Sequence, residues 1–108
     1  MTSIDFTTVC RLAAALAGVE EGTSYGTPAF RVRGKLMARM LDDDSIVVKI
    51  DPAERKTWTA RAPETFLVTD HYRNYPMMVV RLDRVSEGDL RTLFEGAWRL
   101  CAPRPRKR

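Results

Sequence analysis

One histidine and two cysteines are all that this chain of 108 residues offers of the usual metal ligands. His71, Cys10 and Cys101 stand far apart and no C-x-x-C pair exists, so the spaced ligand sets of structural zinc are excluded. The chain has no P-loop, no G-x-G-x-x-G and no G-x-S-x-G. Phosphate-cradling glycine loops and a nucleophile elbow therefore drop out. The run Asp42 to Asp44 lacks the spacing of a calcium loop and reads as a solvated turn. Glu20 and Glu21 are adjacent, so on a strand they point to opposite faces, a poor arrangement for paired acid–base work. Nor does any apolar run approach the ~20 residues that a membrane helix needs. We expect no enzyme activity, no metal and no cofactor.

What is present fits one domain with one core. Hydrophobic residues make up 44% and charged residues 30%, the balance of a globular protein. The opening segment has Asp5 before its apolar run and no basic leader, so it reads as a first helix and not a signal peptide. A cytoplasmic protein is the expectation. The net charge is +4, but residues 104–108, RPRKR, hold four of the 18 basic residues and no acid. Without them 14 basic residues balance 14 acidic ones. The domain is expected over residues 1–103, with residues 104–108 a disordered basic tail. Such a tail also suits phosphate backbones, without sequence preference.

Hydrophobic periodicity gives the order helix, four strands, helix, one or two strands, helix. The first helix, Asp5 to Ala17, has Val9, Leu12, Ala13 and Leu16 on one stripe, with Phe6 and Cys10 at its edge. Asp5 or Thr7 caps it and Gly18 ends it. Asp51-Pro52 with Glu54 marks a second helix start. Ser86 with Asp89 caps a third, whose stripe is Leu90, Leu93, Phe94, Ala97, Trp98 and Cys101. Both cysteines thus fall on apolar helix faces, as buried free thiols. Tight turns between the strands predict an antiparallel meander with helices on one face, an α+β domain.

The stretch FRVRGKLMARM carries the candidate site. A three-residue loop, Arg33-Gly34-Lys35, pairs Val32 with Leu36 and Phe30 with Ala38 and keeps one face apolar. It puts Phe30, Val32, Leu36, Ala38 and Met40 inside. Arg31, Met37, Arg39, Val47 and Lys49 face out, with Arg33 and Lys35 at the tip. Interleaved basic chains of this kind can lie along a phosphate backbone. From residue types alone, a solvated sheet face is the plainer reading. A second candidate is a pocket of Tyr25, His71, Tyr72 and Tyr75, where rings and polar groups cluster around HYRNYP. Outward Met37 and Val47 also motivate an alternative, a homodimer or protein-interaction module using the sheet face.

Four stretches, GVEEGTSYGTPAFRVRGKLMARM, VVKIDPAERKTW, HYRNYPMMVVRL and AWRLCAP, resemble the MmcQ/YjbR family in order and spacing. Pro28, Phe30, Gly34 and Lys35 match its hairpin; His71 and Pro76 match its later loop. Met77 stands where many members have Trp, and RPRKR lies outside the likeness. The resemblance implies a small α+β fold similar to secretion chaperones and a DNA-binding role through a double wing of hairpins. By position, Arg31, Arg33, Lys35 and Arg39 would form one wing, with Lys49, Arg73 and Arg81 as further contributors. The resemblance implies no catalytic residues and no cofactor.

Overall fold

The computed structural model describes residues 4–24 and 26–102. Helix α1 (Phe6–Ala14) leads into strands β1 (Val19–Ser24), β2 (Thr27–Val32), β3 (Lys35–Asp42) and β4 (Ser45–Lys49). Helix α2 (Pro52–Arg61), strands β5 (Phe66–Leu67) and β6 (Met77–Arg81), and helix α3 (Glu87–Cys101) complete the chain. The six strands form one antiparallel sheet in the order β1-β2-β3-β4-β6-β5. The expected α+β meander is what the chain adopts.

Each helix begins where the sequence supplies a cap. Asp5 Oδ1 accepts from Thr8 N at 2.9 Å, Asp51 Oδ2 from Ala53 N at 3.1 Å, and Ser86 Oγ from Asp89 N at 3.1 Å. Each cap satisfies an amide that the first helical turn leaves unpaired. The Thr8 bonds hold the Asp5 carboxyl below its ordinary pKa.

The main core lies between α1, α3 and one sheet face. Val9, Leu12 and Ala13 of α1 and Leu90, Leu93, Phe94, Ala97 and Cys101 of α3 meet Phe30, Ala38, Ile46, Val48, Met78 and Val80 of the strands. Burial of each large side chain contributes about 1.5–3 kcal/mol. Helix α2 has no fully buried residue. It leans on the core through Trp58, whose ring meets Phe66 edge-on at 4.9 Å. Both cysteines are free thiols, Cys101 buried and Cys10 half-buried. Desolvation raises the pKa of each, and Glu21 beside Cys10 raises that one further.

One expected register is corrected. The β2–β3 loop has two residues, Arg33 and Gly34, at φ +53° and +83°. Positive φ at both positions is the signature of the hairpin turn whose twist matches the strands. Val32 therefore pairs with Lys35 and Arg31 with Leu36. A bulge then absorbs one residue, and Phe30 pairs with Ala38 as expected. Leu36 and Met37 exchange roles as a result. Met37 is fully buried in the main core, while Leu36 is half-buried on the opposite face.

Candidate nucleic-acid interface

The sheet face away from α1 and α3 has its own small apolar cluster. Val47, Met77 and Val79 are buried there, with Leu36, Leu41, Leu67 and Tyr72 packed around them. Alternation along the strands brings basic residues to the same face. Arg31 is registered with Leu36, Arg39 with Val47, Lys49 with Met77 and Arg81 with Ser45. All four are half-exposed. Val47 has no accessible surface; Arg39 and Val79 are its registered neighbours, and Tyr72, from a short 3-10 turn at Asp70–Tyr72, packs on the same cluster. Long basic side chains cover apolar surface with their stems and keep their heads in water. The apolar strip is bordered both by these cations and by partly buried apolar side chains.

The heads differ in what they hold. Arg31 Nη1 donates to Thr23 O at 3.2 Å, and Arg39 Nη1 to the Tyr72 hydroxyl at 2.8 Å. Arg81 reaches Asp83 at 3.4 Å, while its buried Nε has no hydrogen bond. Arg73 pairs with Asp70. Arg33 and Lys35 at the tip and Lys49 on β4 make no hydrogen bond or ion pair among the described residues. Registered acids are sparse. Glu20 lies beside Arg31, and Asp42 beside Ser45 at the end of β3 away from the tip. Arg81 shares that acidic end, since Ser45 is its partner too. The structure thus gathers Arg31, Arg33, Lys35, Arg39 and Lys49 at and near the hairpin tip. Arg81 and Arg73 are set apart, each beside an aspartate.

The 70–77 segment borders this surface and is held from three sides. Arg55 of α2 donates through Nη1 to the carbonyls of Tyr72 (3.3 Å), Tyr75 (2.7 Å) and Met77 (3.0 Å), and through Nη2 to Arg73 O at 3.2 Å. Ile50 N donates to Pro76 O at 2.9 Å, and Arg39 secures the Tyr72 hydroxyl. Four carbonyls converging on one guanidinium fix a loop that has little regular structure of its own. His71 meets Tyr72 edge-on at 4.6 Å and lies 6.3 Å from Tyr75. Beside these rings is an open cleft of about 380 Å³, between Leu36, Arg39 and Lys49 on one side and His71, Tyr72 and Tyr75 on the other. Three of the four expected pocket residues therefore do meet. Tyr25 lies outside the described residues. Arg55 was not expected at all. On a helix surface it looks like any solvated arginine, and its acceptors lie 17 to 22 positions later.

The YjbR family model matches residues 14–100. The chain belongs to the YjbR family. Its fold is similar to that of a Deinococcus radiodurans protein, DR2400, solved by crystallography and carrying the domain called DUF419. The TM-score is 0.75 at 20% identity, over 85% of this chain and 74% of that one. At that identity the likeness speaks for the fold. No curated protein matches the chain. The YjbR match takes in the basic hairpin, the Arg55 helix and the 70–77 loop, and leaves out residues 101–108. Among the described residues no helix is long and apolar enough to cross a membrane. Nor does any group of three His, Cys, Asp or Glu residues among them suit a metal ion.

Proposed function

We propose that this YjbR domain binds DNA through the sheet face opposite α1 and α3 and the β2–β3 hairpin tip, without catalysis. One observation carries the reading. The body of the chain has no net charge without residues 104–108, yet basic residues are locally in excess around the β2–β3 hairpin. Arg31, Arg39 and Lys49 lie on the sheet face opposite α1 and α3, Arg33 is in the turn, and Lys35, registered with the core residue Val32, stands at the tip toward the other face. Helices α2 and α3 carry both signs, Glu54, Glu87, Asp89 and Glu95 among Arg55, Lys56, Arg61, Arg91 and Arg99. Cations gathered on the face opposite α1 and α3 suit a phosphate backbone, which is read by charge and position. Among the described residues, Arg33, Lys35 and Lys49 have no hydrogen bond or ion pair to give up on binding it. Arg73 and Arg81 are weaker contributors, since each already faces an aspartate. Residues 104–108 would add a diffuse electrostatic term and lie outside the described residues.

Salt-titrated binding to a short duplex tests this. Neutralising Arg31, Arg33, Lys35 and Arg39 together lowers affinity and flattens the salt dependence by up to about four units of slope, about one for each phosphate left without its cation. Unchanged affinity in that variant refutes the face. Affinity that vanishes only on deleting residues 104–108 assigns binding to those residues instead.

Self-association through the same face is the second reading. Its apolar cluster favours it, but part of its motive is gone, because Met37 turns into the main core and Val47 is fully covered. Leu36 and Tyr72 would have to supply the interface. Light scattering that shows a mass rising with concentration supports it; a constant monomer mass removes it.

A further inference from the structure

We propose that the cleft beside the hairpin receives one unstacked base of a single-stranded nucleic acid, with Tyr75 as its stacking platform. This rests on the reading of the basic face as a nucleic-acid surface and adds which form of nucleic acid the face prefers. Tyr75 is 57% exposed, whereas Tyr72 is half-buried and packed against the apolar strip. A bare ring at the edge of a cleft that also holds two cations, Arg39 and Lys49, is a ready surface for stacking. Any base can stack there, since every base has a π-face. In a duplex both faces of a base are covered by its neighbours, so only an unpaired base can offer one to Tyr75.

Three further observations fit that ligand. The cleft has apolar lining from Leu36 and Met77, and its volume of about 380 Å³ is in the range of small-ligand sites. Lys49 lines it with no partner among the described residues, placed to meet the phosphate of the same nucleotide. The backbone that carries the platform is also held in advance. Arg55 holds the carbonyls on both sides of Tyr75 and that of Tyr75 itself, so little ordering cost falls on binding. Apolar lining, aromatic platform and unpaired cation recur where proteins hold single strands without regard to sequence.

The test is fluorescence anisotropy with a labelled single-stranded oligo(dT) of about a dozen nucleotides, a length matched to known single-strand site sizes, and a duplex of equal length. The same low salt concentration is used for both. The full chain is expected to bind the single strand more tightly than the duplex. Tyr75→Ala is expected to weaken single-strand binding ~5- to ~150-fold, the range of a lost base stack, and to leave duplex binding within about twofold. Tyr75→Phe keeps the platform and is expected to bind like the parent. The exposed position makes both variants safe for folding, which circular dichroism verifies. Unchanged single-strand affinity in Tyr75→Ala overturns the cleft proposal, while charge-dependent duplex binding in the same assay leaves the basic face standing. No binding of either form at low salt refutes the face and the cleft together. A free mononucleotide shares the chemistry of one base with one phosphate. Displacement of the oligonucleotide by dTMP at equal nucleotide concentration would reassign the cleft and overturn the proposal.

Discussion

The two faces of one sheet show two ways of covering apolar strands. One face is buried under α1 and α3, and its strand residues Phe30, Ala38, Ile46, Val48, Met78 and Val80 are almost without accessible surface. The other face keeps a small apolar strip, Val47, Met77 and Val79, bordered by Leu36, Leu41, Leu67 and Tyr72 and by basic side chains such as Arg39. The first face holds the fold together. The second can exchange its cover, because a basic head that leaves water for a phosphate need not expose the strip beneath its stem. On the proposed reading, stability and recognition fall on opposite sides of the same strands.

The sharpest way to break that comparison uses neighbours. Met37 and Leu36 adjoin on β3 yet face opposite ways. Phe94→Ala is expected to cost about 3–5 kcal/mol and Met37→Ala about 2–5 kcal/mol in urea unfolding, the range for emptied core sites. Leu36→Ala, on a half-buried site, is expected to cost about 1 kcal/mol. Equal losses at 36 and 37 would mean that the bulge is misplaced and the two faces are not distinct. Arg55→Ala is the next largest effect, about 1.5–3 kcal/mol, the value of hydrogen bonds to a charged donor. Its signature is local. Amides of residues 70–77 are expected to lose hydrogen-exchange protection while those of α3 keep theirs. Uniform loss across the molecule would show that Arg55 supports the global fold and not the loop.

The sequence itself explains what was legible and what was not. Caps at Asp5, Asp51 and Ser86 and the α3 stripe were readable because each is a local pattern with one physical cause. The hairpin register was not. A three-residue loop, and a two-residue loop followed by a one-residue bulge, both bring Phe30 opposite Ala38. Alternation cannot separate them, because Leu36 and Met37 are both apolar and either can fill the core. Keeping one face wholly apolar favoured the longer loop, whereas the chain takes the shorter one, with Arg33 as well as Gly34 at positive φ. The basic face was legible residue by residue but not as a surface. Only the strand order shows that Lys49 on β4 joins the β2–β3 tip, while Arg81 ends beside acids. Arg55 was invisible for a different reason: its partners are main-chain carbonyls, and these carry no sequence signal.

Turn strain offers a smaller and more local test. A Cβ added at Gly34 would meet nothing within 4 Å, so Gly34→Ala creates no clash. The cost is conformational alone, about 1–2 kcal/mol for an L-residue held in the left-handed region. A urea midpoint unmoved by this change would contradict the two-residue turn.

The smallest expected effect separates stability from binding most cleanly. Arg33 is exposed, has no partner among the described residues and adopts φ +53°, a region that Asn enters more readily than Arg. Asn-Gly is also the favoured pair for this turn. Arg33→Asn is therefore expected to raise stability by a few tenths of a kcal/mol in urea unfolding, since αL strain falls and no hydrogen bond or ion pair is broken. If the hairpin tip meets phosphate, the same change removes one cation and lowers the salt-dependence slope by about one. The two measurements should move in opposite directions, a more stable protein that binds DNA less well. A variant that is more stable and binds with an unaltered slope would leave the tip with a structural role only, and would confine the proposed interface to Arg31, Arg39 and Lys49 on the strands.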